Sequence, residues 1–140
     1  MGLLTSDAEL SVLLRGVGSV AIVGVSANPA RPSHEVAAYL QRASPWELWF
    51  VNPTVDEVLG QPTFASLSDL PVVPDLVDVF RRTEHLPTVT AHAIEVGARA
   101  VWFQLGLRHP TAARSALDAG LDVVQDHCLK VEHGRLFASG

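Results

Sequence analysis

The segment Gly24-Val25-Ser26-Ala27-Asn28-Pro29-Ala30-Arg31-Pro32-Ser33 gathers the residue types that hold a phosphate group. Gly24 permits a tight turn and a close approach of the backbone to a ligand. Ser26 and Ser33 supply hydroxyl groups, and Arg31 supplies a fixed positive charge. A helix capped by Ser33 would aim unpaired N–H groups at the same place. The guanidinium should dominate: an Arg–phosphate pair separated by about 4 Å is worth about 4 kcal/mol at an effective dielectric constant of roughly 20, before desolvation is subtracted. A helix terminus adds roughly 0.3–1 kcal/mol. The same residues could equally do no more than shape a turn, because a glycine loop after a strand is common.

The loop has only the first glycine of a G-x-G-x-x-G dinucleotide fingerprint. Nicotinamide-binding domains also place an acid at the end of the second strand to hold the ribose hydroxyls, and here that position reads Val51-Asn52-Pro53. Both departures disfavour NAD. Arg81, directly after a strand pattern, is a candidate for a second phosphate, with Arg82 left to solvent. Cys128 could form a mixed disulfide with a thiol ligand or be a small buried hydrophobe. The six histidines show no metal-ligand spacing and are read as surface or packing residues. Asp126 and His127 are adjacent, so their side chains should point apart rather than form a base dyad.

These residues need a scaffold that brings strand-ending loops together. Ser6 with Glu9 forms a capping-box pattern for a helix over 6–15, with Leu10, Leu13 and Leu14 on one face. Apolar runs at 19–23, 48–51, 76–80, 100–103 and 123–124 read as five strands. Helices are expected between them, one after Ser33, one opened by Pro87 and ended by Gly97, and one over 110–119 ended by Gly120. The connection from Asn52 to Pro74 carries four prolines and little periodicity, so it is expected to run extended along one edge. The alternation predicts a single Rossmann-like α/β domain with a five-stranded, mainly parallel sheet and helices on both faces. Ligands bind such sheets beyond the carboxyl ends of the strands.

Bulk properties narrow the field. A chain of 140 residues, 48% hydrophobic and 18% charged, suits one core-rich unit, and no apolar run approaches a membrane span. A net charge of −5 argues against a nucleic-acid surface. One cysteine excludes an internal disulfide and fits a reducing, cytoplasmic setting.

Taken in order and spacing, a set of short motifs resembles small CoA-binding proteins related to the amino-terminal domain of the succinyl-CoA synthetase alpha chain. They are Gly24-Val25-Ser26 with Pro29, Arg31, Pro32 and Ser33; Val51-Asn52-Pro53; Gly60; Val77-Asp78-Val79-Phe80-Arg81; Trp102-Phe103-Gln104-Leu105-Gly106; and Asp126-His127-Cys128-Leu129. The resemblance implies coenzyme A as cofactor, with Gly24, Val25, Ser26 and Arg31 around its phosphates and Ala27 in the same loop. It implies Asn52 and Pro53 beside the nucleotide, and Phe80, Arg81, Gln104, Leu105 and Gly106 as walls for adenosine and pantetheine. The family often has Arg where this chain has His127.

The synthetase needs a second domain with a phosphorylated histidine and a separate nucleotide-activating subunit, for which this chain has no room. A non-catalytic module, sensor or carrier of CoA or acyl-CoA is therefore expected, with a homodimer or a larger enzyme as the possible partner. Two rivals are an NAD(H)-binding oxidoreductase or redox sensor, and an interaction protein that has lost its ligand.

Overall fold

The computed structural model describes residues 2–138. Helix α1 (Asp7–Arg15) starts with the expected capping box: Ser6 Oγ accepts from the Glu9 N–H at 3.2 Å, and Glu9 Oε1 accepts from the Ser6 N–H at 3.1 Å. It buries Leu10, Leu13 and Leu14 and stops at Gly16. The chain then runs through β1 (Ser19–Val23), α2 (Pro32–Ala43), β2 (Glu47–Val51), β3 (Glu57–Val58) and β4 (Gln61–Phe64). The second half holds β5 (Leu76–Val79), α3 (Leu86–Val96), β6 (Ala100–Phe103), α4 (Pro110–Asp118), β7 (Asp122–Val124) and α5 (Leu129–His133). Gly97 ends α3 in the left-handed conformation at φ 86°, as a glycine after a helix does.

The strands form one sheet in the order β3-β4-β2-β1-β5-β6-β7. All neighbours are parallel except the β3–β4 pair. The sheet therefore has seven strands, not five. The two additional strands lie in the proline-bearing connection, which does follow one edge but also extends the sheet there. Leu59 and Gly60, at φ 51° and 79°, form a two-residue turn with both residues left-handed, which joins β3 to β4 as a hairpin. Pairing of β4 with β2 is confined to Thr63 and Phe64, and Pro62 sits toward the rim, where a missing N–H is tolerated.

Strand alternation sends Val20, Ile22, Leu76 and Trp102 into one apolar layer with residues of α1, α2 and α5. Ala21, Val23, Val77, Val79, Val101 and Phe103 go into the other, with residues of α3 and α4. Helices cover both faces, as the alternating pattern predicted.

Two features of this sheet are costly in isolation. At φ 88°, Gly24 lies so close to β5 that a Cβ there would sit 2.3 Å from the Phe80 carbonyl oxygen. Asp78, between Ile22 and Trp102 in register, is fully buried, and neither carboxyl oxygen has a hydrogen-bond partner among the described residues. Burial pushes its carboxyl well above the usual range. The folded chain thus holds Asp78 neutral while the unfolded chain ionises it, so this residue costs more stability as pH rises from the ordinary carboxylate range toward its folded value.

Two outcomes follow. Gly24→Ala lowers unfolding free energy by about 2–4 kcal/mol, from the left-handed backbone and the clash with Phe80, measured by urea denaturation. Asp78→Asn gains stability over the wild type by a margin that widens from about pH 5 to about pH 8 in thermal melts; a constant margin contradicts a neutral buried acid.

Candidate functional site

Sequence order and spatial order part company at β1. From there the chain moves outward through β2 to the β4–β3 hairpin, then returns to lay β5, β6 and β7 on the other side. The loops after β1 and β5 consequently diverge and leave a crevice at the carboxyl ends of the strands, where open α/β sheets take ligands. A cavity of about 710 Å³ opens there, and a second of about 480 Å³ adjoins it through Gly24, Asn52, Phe80, Arg81 and Arg82. Both volumes lie in the roughly 300–1,000 Å³ range of small-molecule sites.

The loop between β1 and α2 is held by its own side chains. The Ser26 N–H donates to Ser33 Oγ at 2.9 Å, the Asn28 N–H to Ser26 Oγ at 3.0 Å, and the Ala30 N–H to Asn28 Oδ1 at 3.0 Å. Ser33 does not cap α2. The helix begins earlier, with Arg31 as the capping residue and Pro32 in its first turn, where the missing proline N–H costs nothing. Ser33 lies inside the first turn, buried, with its oxygen turned to Ser26. Each of the two hydroxyls accepts a backbone N–H and keeps its own O–H as a donor. Gly24, Ser26, Arg31 and Ser33 all line the larger cavity.

The charge around the cavity is opposite to that of the whole molecule. Arg31, Arg81 and Arg82 line it, and none has a carboxylate within ion-pair distance among the described residues. The acid on its wall, Glu35, is neutralised by Lys130, whose Nζ lies 2.7 Å from Glu35 Oε1; this contact draws the carboxyl below its usual range. Three unneutralised guanidiniums in a concave site on a protein of net charge −5 make a local anion trap.

Of the other residues singled out in the sequence, Asn52, Phe80, Arg81, Gln104 and Leu105 line the larger cavity, and Pro53 lines the smaller. Asn52 spends its side chain on the fold. Its Nδ2 donates to the Val25 carbonyl at 2.8 Å, while its Oδ1 accepts from the Thr54 N–H and hydroxyl at 2.8 and 2.7 Å. It ties the loops after β1 and β2 together. Val25 is buried in the core, and Ala27 and Gly106 are exposed and outside the lining. The Gly106 N–H donates at 2.7 Å to Asp126 Oδ1, which together with Arg108 holds that carboxyl below its usual range. His127 Nδ1 meets the Gln125 carbonyl at 2.6 Å, so Asp126 and His127 serve separate contacts and form no dyad. Among the described residues no group of three His, Cys, Asp or Glu side chains could hold a metal ion.

The lining also includes Arg82, Glu35, Val36, Leu107 and Cys128. Arg82, expected from the sequence to be left to solvent, is exposed but also lines both cavities beside Arg81. Glu35 and Val36 could have been found from α2, since they lie within a turn of Ser33 on the helix that borders the crevice.

Residues 18–134 match the family model described as a CoA binding domain. The uncharacterized protein YneT of Bacillus subtilis is 39% identical over 128 residues, covering 91% of this chain and 94% of that protein. The structure of cell-free ID.343 from Thermus thermophilus is 36% identical, with a TM-score of 0.89 over 95% of this chain and all of that one (100%). The fold alone also recurs, at 19% identity and a TM-score of 0.70, in 25% of a dinucleotide forming acetyl-coenzyme A synthetase from Ca. Korarchaeum cryptofilum, where it matches 76% of this chain. With the family model spanning most of its length and a relative this similar from end to end, the chain belongs to the CoA binding domain family.

Proposed function

We propose that this chain is a Rossmann-like module that binds coenzyme A or an acyl-CoA at the carboxyl ends of its strands, and that it serves as a sensor or carrier without catalysis of its own. The observation that carries the reading is the set of three guanidiniums, Arg31, Arg81 and Arg82, which line one cavity and have no acid at ion-pair distance among the described residues. CoA is a ligand with several phosphate charges and a long, largely uncharged arm. The cavity supports both parts: cations and the two serine hydroxyls on the loops after β1 and β5, and Phe80, Leu105 and Leu107 for apolar contact.

NAD gains no support, since the second strand is followed by Asn52, whose amide braces Val25 and Thr54 and which offers no carboxylate to a ribose. A scaffold that had lost its ligand has no reason to keep three like charges together at a cost in repulsion.

Calorimetric titration with CoA, dephospho-CoA and NAD tests the reading. CoA should bind with the highest affinity, and heat from NAD in preference to CoA overturns the assignment. Arg31→Ala should weaken CoA binding by about 2 kcal/mol, the range for losing a charge-assisted hydrogen bond at a partly desolvated site. Unchanged affinity removes Arg31 from the site. Arg82→Ala should also weaken CoA binding, and both effects should shrink as salt is raised.

A further inference from the structure

A further concavity lies at the opposite end of the sheet, at the amino ends of β1 and β2. The five residues of β1 separate it from the crevice by about 16 Å. It measures about 350 Å³, and Leu14, Val17, Pro45, Trp46 and Phe137 give it apolar walls. The carboxyl ends of α1 and α2 converge there with the π-helical turn Gly134–Ala138 that continues α5. Turns of this kind are rare and recur at functional sites.

Two polar side chains interrupt these walls, Arg15 and His133. The Arg15 guanidinium lies over the Phe137 ring, 5.4 Å from its centre, and has no carboxylate within ion-pair distance among the described residues. Stacking occupies the face of a guanidinium and leaves its N–H edge for a planar acceptor. His133 is only 5% exposed. Trp46 and Tyr39 meet its ring in T-shaped contacts, at 5.2 and 5.6 Å between centres, and Phe137 is tilted against it at 5.6 Å. Its Nδ1 meets the Tyr39 hydroxyl at 2.9 Å, the one hydrogen bond of the ring among the described residues. Burial draws the imidazole below its usual pKa, so the ring is neutral at pH 7. When Tyr39 donates to Nδ1, the hydrogen of the neutral ring sits on Nε2 and is available to an acceptor.

No acid lines the cavity. The helix ends around it would disfavour an anion, but their carbonyls are spent. Those of Val12 and Leu13 accept from the Gly16 N–H, and that of Leu40 accepts from the Ser44 N–H and hydroxyl. Partial charges met in this way count for less than a full guanidinium charge in contact with a ligand. One such charge balances a monoanion, and its N–H edge matches the two oxygens of a carboxylate.

We infer that this cavity is a second binding site, for a small apolar acid: Arg15 pairs with the carboxylate, His133 Nε2 donates to it, and Trp46 and Phe137 enclose the apolar body. The site shares no lining residue with the crevice, so it stands or falls separately from the CoA reading.

The test is an NMR titration that follows the Trp46 indole N–H and the His133 ring. Phenylacetate has both charge and ring, phenylacetamide the ring alone, and acetate the charge alone. Phenylacetate should shift both sets of signals saturably, with a dissociation constant below about 1 mM, and the other two should bind at least about tenfold more weakly. Arg15→Gln, at an exposed position, should weaken phenylacetate about tenfold and leave phenylacetamide unchanged. Saturating CoA should leave the phenylacetate titration as it was. No saturation by about 10 mM, equal binding of acid and amide, or an Arg15→Gln protein that binds phenylacetate as the wild type does overturns the inference. Displacement of phenylacetate by CoA overturns it too, by moving the acid to the crevice.

Discussion

The carbonyl oxygen of Phe80 occupies the space that any side chain on Gly24 would need. This contact joins the ends of the two central strands, β1 and β5, at the place where the chain reverses its direction of travel across the sheet. It brings Phe80, Arg81 and Arg82 to one side of the crevice and the loop carrying Ser26, Arg31 and Ser33 to the other. The hydrogen bonds from the Phe80 N–H to the Val23 carbonyl at 2.8 Å and from the Gly24 N–H to the Val51 carbonyl at 3.0 Å extend the ladder to the edge of the cavity. The loops that border the crevice therefore start from backbone fixed by close packing and hydrogen bonds, an arrangement that keeps the ordering cost of any binding there low.

Charge follows the same plan. A net charge of −5 repels a polyanion at long range, but screening confines that repulsion to about 8 Å at physiological ionic strength. Within that distance the crevice presents Arg31, Arg81 and Arg82, whereas the acid on its wall, Glu35, is bound to Lys130. Lys130 comes from α5 and Glu35 from α2, so the pair also joins two of the three helices that cover one face of the sheet. One ion pair thus removes a negative charge from the cavity wall and fastens its frame.

Much of this was legible in the sequence, for identifiable reasons. The central strands are near-continuous apolar runs, and Gly24 and Gly97 mark their loop and helix boundary because only a residue without a side chain suits those positions. What escaped detection was short or served two purposes. The β3–β4 hairpin has too few residues to show a period, and its turn is Leu59-Gly60 rather than the usual Asn-Gly. Ser33 has the right type for a helix cap, yet Pro32 moves the start of the helix and frees Ser33 for Ser26. Asn52 looks like a ligand residue by position, and only its three hydrogen bonds reveal a brace. Asp78 reads as a lapse in an apolar strand, and nothing local to it announces a fully buried acid.

The borders of the sheet have a further consequence. On the β7 side the amino-terminal residues fold back, the Val123 N–H donating to the Gly2 carbonyl and its carbonyl accepting from the Leu4 N–H, both at 2.9 Å. On the other side the outermost strand is the two-residue β3, which carries Glu57. A plugged margin and a stunted, charged one leave little for a stray extended chain to template upon. A core this rich in β-branched residues thereby offers few free backbone groups at its margins for copies to pair through.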